Sequence, residues 1–238
     1  MVREKILSTG HQKEVIYDEM HWRILREKRN FAKEIMQGLK KLNPHIHGSL
    51  ARGDIHKKSD IDIIILNPVS SYKIELELER MHYYPQERWI VQATPKHTPK
   101  GKIILEEEVS ISFPLIPFTT REMEFYKFGG LIGLTELEQN IRVPGINKKL
   151  VLIIPTEKGH KEFSVLTAPS IAARIVGVGI EVVNERIKVL RRRDKIGRTG
   201  IFFQEQISPT ETFETKFKNI ISKKPEIKRL LKKRGVTL

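Results

Sequence analysis

Apolar residues along the first third of the chain recur at two different periods. Met20, Ile24, Phe31, Ile35 and Leu39 return every three to four positions, which predicts one long amphipathic helix over residues 12–42. Asn43-Pro44 ends it, because proline has no N–H to continue a helix, and leads into a strand at His45–His47. From Ile61 to Leu66 the period changes. Isoleucines crowd around Asp62 and predict a strand buried on both faces. A helix over Tyr72–His82 follows, capped by Ser70 or Ser71. Strands at Arg88–Ala93 and Lys102–Phe113 come next, joined by the loop TPKHTPKG with Gly101 closing the turn. Thr119 and Glu122 make a capping-box pattern that opens the helix carrying Phe125 and Tyr126. Lys149–Ile154 is a further apolar strand, and Pro155-Thr156-Glu157-Lys158-Gly159 has the composition of a boundary. The expected organisation is an α+β domain over 1–158, with a mixed sheet and flanking helices, and a smaller C-terminal domain over 159–238.

Chemistry concentrates in one stretch of that pattern, HGSLARGDIHKKSDIDIIIL, from His47 to Leu66. It reads as a strand end, a Gly-Ser turn, a brief helix, a basic loop and a second strand. Asp60 and Asp62 are two residues apart, so in an extended chain both carboxylates project from one face. Side by side they repel each other, and a fold tolerates them best where a cation neutralises both. Mg²⁺ or Mn²⁺ suits such hard oxygen donors, and Mg²⁺ commonly adds phosphate oxygens and water to one or two carboxylates. Gly48 and Ser49 lack the bulk to keep a triphosphate from backbone N–H groups at a helix start. Arg52, Lys57 and Lys58 can add positive charge, although the two lysines equally suit a solvated turn. His47 and His56 flank the stretch and are assigned no catalytic role.

Ile46-His47-Gly48-Ser49, a spacer over residues 50–59, and Asp60-Ile61-Asp62 together resemble the signature of the polymerase-β-type nucleotidyltransferase superfamily. Within it, GSLARGDIHKKSDIDIII is similar to the equivalent stretch of archaeal CCA-adding enzymes, and the look is of a small archaeal-type nucleotidyltransferase. The close likeness covers about twenty residues and a weaker one perhaps a hundred. The resemblance implies a nucleotidyltransferase domain that binds an NTP, with ATP the expected donor, and uses Mg²⁺ or Mn²⁺ on Asp60 and Asp62. It also implies a third acid on a neighbouring strand, near Ser110 or Ser112. Neither serine can do that work, so Glu108, one strand repeat away, is the candidate. The other reading, that Glu106, Glu107 and Glu108 are a solvated strand start, stands beside it.

Charge and composition narrow the partners. The 238 residues carry a net charge of +14, and residues 161–238 hold 18 Lys or Arg against 8 Asp or Glu. A basic tail on a nearly balanced first half points to a polyanion such as RNA or DNA, while thermophile-style surface charge would look similar. Cysteine is absent, which excludes disulfides and thiolate zinc sites. The start Met-Val-Arg-Glu lacks the apolar core of a signal peptide, and no apolar run is long enough to span a bilayer. A soluble, cytoplasmic protein with no membrane contact is expected. Its oligomeric state is not readable.

Ser170 can cap a helix over Ile171–Val176, Gly177-Val178-Gly179 makes a turn, and Ile180–Arg193 forms a second helix. Asp194–Phe202 then looks like a two-stranded wing, so the segment resembles a winged helix-turn-helix. Arg186, Arg191, Arg192, Arg193 and Arg198 would contact nucleic-acid phosphates. Against this, Glu181 and Glu185 sit early in the would-be recognition helix; protein docking or a structural lobe is the other use. Thr215–Arg234 reads as one lysine-rich amphipathic helix.

The leading expectation is transfer of NMP from an NTP to a hydroxyl acceptor, with RNA or DNA as one such acceptor. Full CCA addition is not expected, because the residues after 160 are too few for the tRNA-holding domains of those enzymes. The competing expectation is a nucleic-acid-binding regulator whose transferase fold has become a nucleotide sensor. Ser110 and Ser112 in the third-acid strand are its support.

Overall fold

The computed structural model describes residues 6, 10, 12–105, 109–197 and 200–236. Residues 12–42 do not form one helix. β1 (Gln12–Ile16) is a strand, and α1 (Glu19–Gly38) starts only after Asp18, whose side chain accepts the His21 N–H. An aspartate at that position satisfies an orphan helix N–H and so sets the start, while β-branched Val15 and Ile16 favour extension. After a 3₁₀ turn at Lys40–Leu42 come β2 (Pro44–His47), α2 (Ser49–Arg52) and β3 (Ile61–Ile65), as the sequence predicts. α3 (Ser71–Arg80) follows Ser70, but the serine that acts is Ser71: its N–H and hydroxyl both donate to Glu214.

β4 (Glu87–Gln92), β5 (Lys100–Ile104) and β6 (Val109–Pro114) form a meander. The single strand expected over Lys102–Phe113 is therefore two, joined through residues 105–108, and Glu106, Glu107 and Glu108 lie outside the described residues. Gly101 is not a turn residue. It sits inside β5 opposite Phe113, whose ring covers it so closely that a Cβ would lie 2.3 Å from Cζ. α4 (Thr120–Phe128) opens with the expected capping box between Thr119 and Glu122. Glu122 also accepts from the Thr98 N–H and hydroxyl and pairs with Arg234.

Next come β7 (Leu131–Gly133), α5 (Leu134–Glu138), β8 (Gly145–Ile146), β9 (Val151–Thr156) and β10 (Gly159–Ser164). The boundary expected at residue 158 falls in the tight turn between β9 and β10, inside one sheet, because Gly159 and Thr156 pair directly. α6 (Pro169–Val176) and α7 (Ile180–Ile196) are the predicted helix pair, joined at Gly177 with φ +69°. No wing follows them among the described residues: Asp194–Ile196 remain in α7, and β11 (Phe203–Gln206) pairs antiparallel with β4. The first described strand after α7 is thus an edge of the main sheet, beyond the Asp194–Phe202 segment expected to form the wing. The last helix is also two, α8 (Phe213–Lys223) and α9 (Pro225–Arg234), because Pro225 cannot continue a helix.

Seven strands form a mixed sheet in the order β11-β4-β5-β6-β3-β2-β7, parallel only between β3 and β6. Four antiparallel strands form a second sheet, β1-β10-β9-β8. The larger core packs α1, α3 and α8 on the first sheet around Ile35, Met36, Ile63, Leu78 and Phe213. The smaller joins β9, α6 and α7 through Leu152, Ala173 and Val183. No described helix is long and apolar enough to cross a membrane.

Gly159 lets the two segments of the small sheet approach, since a Cβ there would lie 1.9 Å from the Val15 carbonyl oxygen. Backbone cannot yield as a side-chain tip can. Gly159→Ala is expected to lift β1 off β10 and cost about 2 kcal/mol or more, read as a lowered midpoint in chemical denaturation. An unchanged midpoint would show that the approach is not needed.

Candidate active site

The site is built where β2 ends. Gly48 turns the chain at φ +89° and ψ −142°, a conformation that residues with a Cβ avoid. Its N–H donates to the Gly130 carbonyl at 2.9 Å, and its own carbonyl accepts from Ala51 and Arg52 as α2 begins at Ser49. Antiparallel pairing of β2 with β3 sets His47 opposite Asp62, and parallel pairing with β6 sets Ser110 on its other side. The Ser110 hydroxyl donates to Asp62 Oδ1 at 3.0 Å. Asp60 immediately precedes β3. Both aspartates are exposed to a cleft of ≈ 700 Å³ that Gly48 and Ser49 also line, a size typical of small-molecule sites.

Neither carboxylate has a cation in ion-pair contact among the described residues. Two adjacent anions without a counter-charge, beside a glycine corner, fit a divalent metal that takes carboxylate, water and phosphate oxygens. A third ligand from protein is not seen: no group of three His, Cys, Asp or Glu suited to a metal occurs among the described residues. The strand position beside Asp62, where the sequence comparison looks for a third acid, holds Ser110. Glu108 lies outside the described residues.

His47 lines the cleft. Its ring packs 5.9 Å from Phe125 and 5.2 Å from Tyr126, centre to centre, and its Nε2 is buried without a hydrogen-bond partner. Gly129 makes room, since a Cβ there would lie 2.4 Å from Nε2. Burial pushes the imidazole down to about 4, against the pull of the Asp62 carboxylate. An unfolded histidine takes its proton near 6.5, so stability from neutral His47 is complete above that value. It is lost as pH falls from about 6.5 to about 4, by up to roughly 3 kcal/mol. Urea unfolding at pH 7 and pH 4.5 checks this: His47→Asn is expected to flatten the decline. A variant with the same slope would remove His47 as its source.

The remaining predicted site residues separate. Lys58 is exposed and lines the cleft, whereas Lys57 is exposed and does not. Arg52 is 5% exposed and committed to structure: Nε and Nη2 donate to the two Asp54 oxygens at 2.9 and 3.0 Å, and Nη1 donates to the Gly129 carbonyl. Arg52 also lines the cleft, with its fork already filled by Asp54 and the Gly129 carbonyl. Arg191, Arg192 and Arg193 are exposed on α7, and Arg198 lies outside the described residues. Arg186 does not join them. It turns into the cleft and lies over Phe125, its Cζ 4.9 Å from the ring centre. Arg186 is thus set apart from the exposed arginines of its helix.

Sequence reading missed the rest of the cleft wall. Tyr17 and His160 come from β1's end and β10, joined by a 2.7 Å contact from the Tyr17 hydroxyl to His160 Nδ1. His160 Nε2 in turn meets Glu162 at 3.2 Å. Burial holds the Tyr17 phenol well above its ordinary value, with the Asp54 carboxylate adding to the rise. His21 stacks on Tyr17 at 3.6 Å and its Nε2 meets the Gly53 carbonyl. Lys148 and Asn147 come from the β8–β9 turn, whose bend Asn147 braces by accepting from Lys149 and Val151. No local motif marks these residues, because only the tertiary fold brings them to the cleft that Asp62 lines.

Residues 25–116 match the family model of a nucleotidyltransferase domain. That span runs from within α1 through β6, and so contains the Gly48 corner, both aspartates and Ser110. The match supports a nucleotidyltransferase domain over this segment. No curated protein and no solved structure matches the chain.

Proposed function

We propose that this protein transfers a nucleoside monophosphate from a nucleoside triphosphate to a hydroxyl acceptor. The acceptor oxygen bonds to the α-phosphorus, the bond from that phosphorus to the bridging oxygen breaks, and pyrophosphate leaves. One observation carries the reading: in the cleft that the Gly48–Ser49 corner lines, Asp60 and Asp62 make no ion pair among the described residues. Mg²⁺ or Mn²⁺ held there would polarise the phosphate and neutralise charge as it develops. The backbone N–H groups and hydroxyl at Ser49 would orient the outer phosphates, with Lys58 adding charge from its loop. Ser110 holds the Asp62 carboxylate in one orientation through its hydrogen bond. Glu108 is the nearest acid along that strand's sequence for the role that a serine cannot fill.

ATP is the proposed donor. The proposed acceptor is RNA or DNA, supported by Lys188, Arg191, Arg192 and Lys195, all exposed on the helix whose Arg186 and Leu190 line the cleft. A backbone of phosphates along that face would bring a terminal hydroxyl towards the carboxylates. Ser110 beside Asp62 favours one other reading, a nucleotide-sensing regulator without turnover.

The test uses the full chain with each labelled NTP, Mg²⁺ or Mn²⁺, and total RNA or DNA. Label transfer that disappears in Asp60→Ala and Asp62→Asn supports the enzyme. Salt-sensitive nucleic-acid binding without transfer under either metal supports the regulator and removes the transferase.

A further inference from the structure

We propose that Arg186, laid on the Phe125 ring, receives a phosphate oxygen of the bound nucleoside triphosphate. The proposal rests on the nucleotidyl-transfer reading above and adds a contact from beyond the segment that matches the family. α7 is anchored by Val183 and Leu190, both buried, and Arg186 occupies the same helical row between them. A cation in an apolar row is costly unless something compensates it. Only the Phe125 ring face offsets it directly, and no hydrogen bond or ion pair to Arg186 is found among the described residues. The buried Arg186 Nε–H has no acceptor, and neighbouring Glu185 is paired at 2.7 Å with Arg121 instead. Burial first, and then the charge of Arg193, push the guanidinium down to about 10.

The same cleft therefore holds two unneutralised sets of charge, Asp60 and Asp62 on one side of the account and Arg186 with Lys148 on the other. They do not pair with each other. A ligand that satisfies both must bring a cation for the carboxylates and oxyanions for the guanidinium. A nucleoside triphosphate with its divalent ion has that chemistry, and a planar guanidinium is well suited to phosphate oxygens. Phe125 fixes the distance scale. His47, paired with Asp62 across the strands, and Arg186 touch the same ring, 5.9 and 4.9 Å from its centre. Arg186 is thus joined through one ring to the residue paired with Asp62, which favours the donor's phosphates over those of an acceptor strand.

Calorimetric titration of the full chain with an α,β-methylene NTP and Mg²⁺ tests this, beside tripolyphosphate, the free nucleoside and a short oligonucleotide. Arg186→Gln is expected to weaken the NTP analogue and tripolyphosphate about 10–100-fold, the effect of one charged hydrogen bond. Arg186→Lys should recover part of that, and nucleoside affinity should not change. Without ligand, Arg186→Gln should melt no lower than the wild type, since it removes a half-buried cation whose Nε–H has no acceptor among the described residues. A purely structural arginine would instead lower the melting point and leave affinity alone, which overturns the proposal. Equal loss for nucleoside and triphosphate also overturns it, as does loss confined to the oligonucleotide. Each of these leaves the transferase reading standing. Failure of the wild type to bind any NTP analogue removes both.

Discussion

Asp62→Asn is expected to reduce nucleotidyl transfer by about 10³-fold or more, with no loss of stability. The scale follows from the charge: metal-assisted stabilisation of a phosphoryl transition state supplies several kcal/mol, and each 1.36 kcal/mol is tenfold in rate. An amide keeps the shape of the carboxylate and can still accept the Ser110 hydroxyl, so the strand contact at 3.0 Å survives. What it loses is the negative charge, the property that distinguishes a metal ligand from a polar strand end. Stability is expected to hold because Asp60 and Asp62 repel each other and have no cation among the described residues. Ser110→Ala, which only frees the ligand's orientation, should cost about 10–100-fold. Initial rates of label transfer and thermal melts of the same preparations separate the outcomes. Retention of a tenth of wild-type activity in Asp62→Asn would dismiss the carboxylate pair as the catalytic centre.

The site was legible where neighbours in sequence are neighbours in space. Gly48, Ser49, Asp60 and Asp62 sit on one strand-turn-helix-strand unit, and β2 pairs directly with β3. The Thr119–Glu122 cap was legible for the same reason. What local pattern could not show was which partner a residue meets. Val15 and Ile16 continue the helical spacing of α1, but β10 lies beside them and offers a strand ladder. A proline after Lys224 cut one amphipathic pattern into two helices. Just beyond the segment expected to form a wing, Phe203–Gln206 found the free edge of β4. Both arginine placements have the same origin. Arg52 and Arg186 each follow a turn in basic surroundings, and only the fold reveals that Asp54 fills one fork while the other faces the cleft.

That contrast gives Arg52 a distinct expected signature. Arg52→Met should cost about 3–5 kcal/mol of stability, the usual effect of removing one partner from a buried ion pair. Asp54, whose side chain is 13% exposed, would be left without its two-pronged donor, and the Gly129 carbonyl would lose the Arg52 Nη1. Because that carbonyl belongs to the corner on which Gly48 is held through Gly130, the Ser49 turn should loosen as well. Arg52→Met with Asp54→Leu should regain much of the loss, since it removes the stranded charge along with the pair. Denaturant midpoints of the three proteins decide the point, and NTP-analogue affinity measured well below the transition completes it. A single variant that kept its midpoint yet lost nucleotide would restore Arg52 as a phosphate ligand. The opposite result, instability with affinity nearly intact, places it with Asp54 as the brace that keeps the Gly48 corner open to a triphosphate.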